Sequence, residues 1–444
     1  MNIIQIVSDT YRADYMGCYG CPWVHTPRLD RFARISTRFE KTYICSFPTV
    51  PARYEFLTGM VAFPTFGWEP IPRDQVTLAE RLSDCGYRCM MIADTSNLFR
   101  RGFWYNKGFH GFEWIRGQEG DEWNADFCEI DPGSPPEKLR SGWQHNIYQH
   151  RRNTRMRRYE RDCFVAQTMS AAGDWLERNY KGGPFFLYVD TFDPHEPWDA
   201  PEWYLRRYEK EPWTGARLDY PKNGPANGLY TEAELQHIRN LYAAEMTLVD
   251  KWIGRLLEKI EDLGLLDKTM ILFTSDHGTQ LGEHGIMLKG WAMYDSVVRI
   301  PLLVYHPAIK GGQRVGTLVQ IPDVAATILD AIGTEGLEEL NGRSFWPVLT
   351  GTAHTHRQFA AYSGKLSPDL EQLFAGVTDG EWSLLFYGDG RPDELYQLRV
   401  DRHQRTNVAE DRPDVVKRLS NRFLDFAREH GASAEVLMSL EDIV

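Results

Sequence analysis

Two short apolar runs decide most of what this chain can fold into. Residues 2–8 read Asn-Ile-Ile-Gln-Ile-Val-Ser, and residues 269–274 read Thr-Met-Ile-Leu-Phe-Thr. Each is too short for a helix and is expected to be a buried strand. The first ends in Asp9, and the second runs into Ser275-Asp276-His277-Gly278. Buried parallel strands belong to open α/β sheets, which gather their chemistry at the C-terminal strand ends. Asp9, Asp276 and His277 are therefore candidate oxygen and nitrogen donors to one divalent cation.

Other elements alternate in the same manner. Strands are expected over 87–93, 184–191 and 301–305. Thr231 and Glu234 form a capping box ahead of Leu235, Ile238, Leu241, Tyr242, Met246, Val249, Ile253 and Leu257, which recur at helical spacing. That stripe is read as core packing against the sheet. After Gly351 the pattern changes to short strands near 359–362, 373–377 and 382–386, then a helix from about Pro413.

Thr49-Val50-Pro51-Ala52-Arg53, followed by Phe56-Leu57-Thr58-Gly59, is the candidate reactive segment. Pro51 suits the first turn of a helix, where a missing N–H costs little. A helix from there to about Leu57 would leave Thr49 at its N-terminus, where free amides and the dipole favour an anion. Arg53, one turn on, can reach the same anion with a forked guanidinium. The arrangement suits hydroxyl attack on a phosphate or sulfate ester. A plain helix start after Thr-x-Pro is the bland alternative.

On these stretches the sequence resembles the sulfatases of the alkaline phosphatase superfamily. The likeness continues through Gly17-Cys18-Tyr19-Gly20, Thr26-Pro27-Arg28-Leu29-Asp30, Gly86-Tyr87-Arg88 and Pro194-His195-Glu196-Pro197. It then takes in Leu288-Lys289-Gly290, Arg299-Ile300-Pro301-Leu302, Asp323 with Thr327, Asn341-Gly342-Arg343-Ser344 and Glu394-Leu395-Tyr396. It implies an α/β fold, an alkaline-phosphatase-like mixed sheet sandwiched by helices. The catalytic domain would span 1–351 and a smaller C-terminal sheet-and-helix subdomain 352–444. Residues 103–162, aromatic at first and basic at the end, are the least family-like and are read as an insertion.

The departures from the pattern bear on substrate. Most sulfatases place a cysteine or serine at the position of Thr49 and oxidise it to formylglycine. Threonine has no route to that aldehyde, because its β-carbon carries a methyl group, so no formylglycine is expected and phosphorus is favoured over sulfur. Cys45 is not a displaced nucleophile, since no arginine follows it at the needed spacing. The lysine and histidine usual after Gly-Tyr-Arg read Asp94 and Ser96 here, and the second metal carboxylate is replaced by Thr10. The stretch from Asp9 to Asp14 looks more like the phosphonate monoester hydrolases. Fewer positive charges suit a monoanionic diester better than a dianionic monoester. Asp94 and Ser96 are candidate substrate-facing residues, and Asp94 either meets a cationic substrate group or points away.

The resemblance implies one divalent metal on Asp9, Asp276 and His277, with Thr10 as a weaker ligand. Histidine at 277 favours Mn²⁺ or Zn²⁺, with Ca²⁺ or Mg²⁺ as alternatives. The Thr49 hydroxyl, acidified by that ion, would attack phosphorus in line while Arg53 and Lys289 stabilise charge on the equatorial oxygens. His195 would protonate the leaving alcohol, and His284 is read as structural. The function implied is hydrolysis of a phosphodiester or phosphonate monoester. Alternatives are a sulfatase using unmodified threonine, a phosphomutase or phosphotransferase, and an inactive sulfatase-like binding protein.

Composition excludes some other classes. A formal charge of −12 argues against general nucleic-acid binding, so the expected partner is a small anionic ester, with a homo-oligomer left open. Seven cysteines give no disulfide framework, and Cys18 with Cys21 lacks the second pair a structural zinc would need. No apolar run reaches the ~18 residues of a membrane span, and no signal-like segment precedes the first strand, so a cytoplasmic protein is expected. Arg151, Arg152, Arg155, Arg157, Arg158 and Arg161 crowd one stretch. They are read either as a solvated face or subunit contact, or as a flap bringing arginines to an acidic substrate.

Overall fold

The computed structural model describes residues 1–140 and 144–441. Residues 141–143, within the insertion expected over 103–162, and residues 442–444 lie outside the described residues.

In chain order the strands of the first half are β1 (Asn2–Ser8), β2 (Thr37–Tyr43), β3 (Arg88–Ala93), β4 (Gly111–Trp114), β5 (Phe185–Thr191) and β6 (Gly224–Pro225). Then come β7 (Thr269–Ser275), β8 (Gln280–Leu281), β9 (Ile286–Leu288), β10 (Arg299–Tyr305) and β11 (Gln313–Gln320). Last are β12 (Ala360–Ser363), β13 (Phe374–Thr378), β14 (Trp382–Tyr387) and β15 (Glu394–Gln397). The main sheet runs β11-β2-β10-β7-β1-β5-β3-β4, so β1 lies between β7 and β5 and is parallel to both. Ser8 pairs with Thr191 on one side and Ser275 on the other, which brings three strands to one level at their C-terminal ends. β10 runs antiparallel to β7 and β2, which makes the sheet mixed, as expected.

Every residue of β1, β5 and β7 is buried, because helices cover both faces of the sheet. Successive side chains of β1 serve opposite cores. Ile3 and Val7 pack with Val50 and Leu57 of the helix Thr49–Thr58 and with Ile328. Ile4 and Ile6 pack with Leu29, Met169 and Ile253, which belong to the helices Pro27–Ile35, Phe164–Asn179 and Glu232–Asp262. The last of these starts on the expected capping box of Thr231 and Glu234.

The sheet β12-β13-β14-β15 is antiparallel, and the helix Pro413–Glu429 packs on it around Phe423 and Leu419. It joins the segment before Thr49 directly. Phe47 N–H donates to Ser363 O at 3.0 Å, and Ser363 N–H donates to Cys45 O at 3.1 Å. Sequence periodicity missed β2, whose Arg38, Glu40 and Lys41 break the apolar run; Arg38 Nε meets Glu40 at 3.0 Å. No described helix is long and apolar enough to cross a membrane.

Candidate active site

The helix Thr49–Thr58 is buried along its whole length and ends at Gly59, whose φ of 70° closes the left-handed cap. Glu55, in its middle, accepts from the Ser46 N–H at 3.1 Å, from the Ser46 hydroxyl and from the Ala62 N–H at 3.1 Å. One carboxylate thus pins the segments before and after the helix. Phe47 packs against the His277 ring with centroids 5.1 Å apart, and against Phe374 at 5.9 Å. Thr49 is consequently held at the level of the strand ends, with Oγ1 3.5 Å from His277 Nε2.

Asp9, Asp276 and His277 converge, each offering a ligand atom within 4.8 Å of the others. The Nδ1–H of His277 donates to Gly278 O at 2.9 Å, which leaves the Nε2 lone pair facing the cluster. Burial, with Lys289 nearby, pushes this imidazole down to about 3, so the ring is neutral rather than a cation. Burial and the adjacent Asp276 carboxylate push Asp9 up from the ordinary aspartate range. Two carboxylates and a neutral imidazole closing on one point are a donor set that a divalent cation fits.

Thr10 sits inside this cluster with its backbone at φ 63°, a strained conformation for a β-branched residue. Three bonds hold it there. Its N–H donates to Asp276 Oδ1 at 2.9 Å, its carbonyl accepts from Tyr242 at 2.7 Å, and its hydroxyl donates to Asp9 Oδ1 at 2.5 Å. Lys289 Nζ donates to the same hydroxyl at 3.2 Å. Leu288, just before that lysine, also has a positive φ of 65°. His284 stacks on Tyr294 with centroids 3.6 Å apart.

His195 is buried on a loop fixed by a hydrogen bond from its own N–H to Phe192 O at 2.8 Å and by stacking on the Phe192 ring at 4.0 Å. Its Nδ1–H donates to Glu196 O at 2.6 Å, which leaves the Nε2 lone pair unengaged by that bond. Burial, then the fields of Lys289 and Arg140, hold it well below the ordinary histidine value. Asp94 turns into the protein. It accepts from Thr168 Oγ1 at 2.7 Å, Thr191 Oγ1 at 3.0 Å and Phe192 N–H at 2.5 Å, anchoring the strand end that leads to His195. Burial, with Asp193 beside it, raises its carboxyl well above the usual range. Ser96 is buried in the turn Ser96–Leu98. Part of the arginine cluster also faces inward. Arg151 binds Asp219 at 2.6 Å, and Arg157 binds Asp199 at 2.8 Å, behind the loop of His195.

Arg53 departs furthest from its expected role. Its Nε and Nη2 grip Asp190 at 3.0 Å each, while Nη1 reaches Asp9 at 3.0 Å and also bonds Asp276. The guanidinium is spent on three carboxylates. Asp190 escaped the sequence reading, although β5 ends in a carboxylate as β1 and β7 do.

Comparison with known proteins follows the same lines. Residues 1–334 match the family described as Sulfatase, and residues 282–429 match the C-terminal region described for N-sulphoglucosamine sulphohydrolase. The N-acetylglucosamine-6-O-sulfatase of Bacteroides thetaiotaomicron is 27% identical over 473 residues, covering 92% of this chain and 82% of that protein. The choline-sulfatase of Rhizobium meliloti is 26% identical over 447 residues, covering 92% and 82%. Among solved structures, the phosphonate monoester hydrolase of Agrobacterium radiobacter superimposes with a TM-score of 0.76 at 20% identity, covering 97% of this chain and 96% of that one, a likeness of fold.

Proposed function

The chain belongs to the sulfatase family, and from that premise we propose that it is a metal-dependent hydrolase of phosphodiesters or phosphonate monoesters acting through unmodified Thr49. The observation that carries this reading is a threonine hydroxyl at a buried helix N-terminus, 3.5 Å from the Nε2 of a candidate metal ligand. Asp9, Asp276 and His277 would hold the ion, Mn²⁺ or Zn²⁺ by the mixed donor set, and it would supply Lewis-acid chemistry. Thr49 Oγ1 gives up its proton to solvent and attacks phosphorus as the bond to the leaving oxygen breaks. In molecules with His195 protonated, the leaving oxygen takes the Nε2 proton, and water then cleaves the Thr49–phosphorus bond and returns a proton to Thr49 Oγ1. Lys289, held at Thr10, faces the charge that develops on the phosphoryl oxygens. A second reading, a sulfuric ester hydrolase using unmodified threonine, is favoured by the sulfatase names of the curated relatives.

The test is a panel of 4-nitrophenyl sulfate, phosphate, methyl phosphate and phenylphosphonate, assayed with and without Mn²⁺. The protein is made in a host without a formylglycine-generating enzyme. Highest kcat/KM on the diester or phosphonate, dependent on added metal, is expected. Preference for the sulfate over every phosphorus ester would overturn the choice of substrate in favour of the second reading.

A further inference from the structure

Asp190 pairs in register with Val7 of β1 and is fully buried. Its two oxygens take the Nε and Nη2 edge of Arg53, a bidentate geometry in which the guanidinium is fully oriented. The hydroxyls of Tyr188, at 3.0 Å, and Thr95, at 2.5 Å, donate to the same carboxylate and fix it in place. The remaining nitrogen, Nη1, lies against Asp9, Asp276 and the Thr49 carbonyl, the last at 3.5 Å. Arg53 therefore has little donor capacity left for a substrate oxygen. Its charge is matched within a low-dielectric interior, where such a match is strong.

The charge balance of the cleft follows. With Asp190 and Arg53 counted as one neutral pair, Asp9, Asp276 and Lys289 sum to one negative charge, and a divalent cation on the donor set would leave one net positive charge. A monoanionic ester neutralises that charge, whereas a dianion leaves a surplus negative charge in a buried site. Resting on the hydrolytic reading above, we propose that Asp190 is a specificity-determining residue. Acting through Arg53, it sets the site for monoanionic esters and against dianionic phosphate monoesters.

Wild type and Asp190→Asn, both loaded with Mn²⁺, are compared on 4-nitrophenyl phosphate and its methyl diester between pH 5 and 8. The monoester gains its second charge near pH 6 while the diester keeps one throughout, so the diester corrects for titration of the protein. In wild type the monoester-to-diester ratio of kcat/KM should fall about tenfold or more as pH rises. In Asp190→Asn the ratio at pH 8 should rise about tenfold, and its fall with pH should flatten. Calorimetric binding of methyl phosphate at pH 8 should tighten in the variant by a similar factor. A flat ratio in wild type would overturn the inference. So would a variant that loses both esters in equal proportion without tighter methyl phosphate binding. Should Asp190→Asn fail to fold, Thr95→Val and Tyr188→Phe, which each remove a hydroxyl bound to the Asp190 carboxylate, should raise the pH 8 ratio in the same direction, and an unchanged ratio in both would overturn the inference. A wild type that prefers aryl sulfates, which are monoanions, would overturn the proposed substrate and leave this inference standing.

Discussion

The methyl group on the Thr49 β-carbon bars oxidation to an aldehyde, so in the proposed reaction a covalent intermediate on Thr49 would be released by water. Thr49→Ala should lower kcat/KM by roughly 10³-fold or more while the melting temperature stays close to wild type, because the helix around it is held by Glu55 and Phe47 instead. Thr49→Cys should also be poor when unmodified, since a thiol is badly matched to phosphorus and to a hard cation. In a host that makes formylglycine, that variant should gain on sulfate esters relative to diesters, measured as a ratio of kcat/KM. At His195 the sign is set by its depressed pKa. The imidazole is neutral near pH 7, so the protonated acid grows more abundant as pH falls. His195→Ala should lose about 10²–10⁴-fold on alkyl esters and little on nitrophenyl esters. The wild-type advantage on alkyl esters should grow toward acid pH. Equal losses across leaving groups would identify a structural role. The donors at strand ends were legible because a carboxylate or histidine closing an apolar run is visible in one dimension. Asp190 carried the same signal without a motif beside it to single it out. The orientation of Asp94 depends on Thr168, Thr191 and Phe192, far away in sequence, and no spacing rule reports that.

Elements with continuous burial or clear periodicity were read nearly to the residue, as β1, β5, β7 and the start of the helix Glu232–Asp262 show. β2 and β11 escaped because their charged and polar residues hide the strand, and only tertiary pairing reveals them. One helix contact also makes a pH prediction. Asp250, on the helix Glu232–Asp262, accepts the Arg28 and Leu29 N–H groups at 3.1 and 2.8 Å, where the helix Pro27–Ile35 begins. Burial pushes this carboxyl up to about 7, against the pull of those two donors. A group raised on folding binds more protons in the native state, so its contribution is complete below its unfolded value near 4 and is lost as pH rises through 7. Wild type should therefore lose stability, on the order of 3 kcal/mol, between pH 4 and pH 8 from this site. Asp250→Asn keeps an acceptor without a charge to bury and should flatten that part of the profile. Melting temperatures of the two proteins across this range check it.

At the scale of the whole molecule, the C-terminal sheet is part of the support for Thr49. Ser363 bonds to both Cys45 and Phe47, and Phe374 braces Phe47 against His277. Tyr362, Leu385, Tyr387 and Tyr396 extend the core built around the helix Thr49–Thr58, and Phe63 packs between Phe423 and Phe426 at 5.9 and 5.7 Å. Asp323, fully buried, is held by Arg357 at 2.7 Å and by His356 at 3.0 Å, both from beyond Gly351. A chain ending at residue 351 would keep Asp323 and lose its cation, at a cost of about 3–5 kcal/mol for a buried charge left unpaired. It would also expose Phe63 and the aromatic floor under Phe47. On these contacts the change of pattern after Gly351 is expected to mark a change of architecture without a folding boundary. Calorimetry of the full chain should show one cooperative transition, and the fragment 1–351 should show none, with no metal-dependent activity. A fragment that melts cooperatively and retains turnover would show that Thr49 is positioned by the main sheet alone.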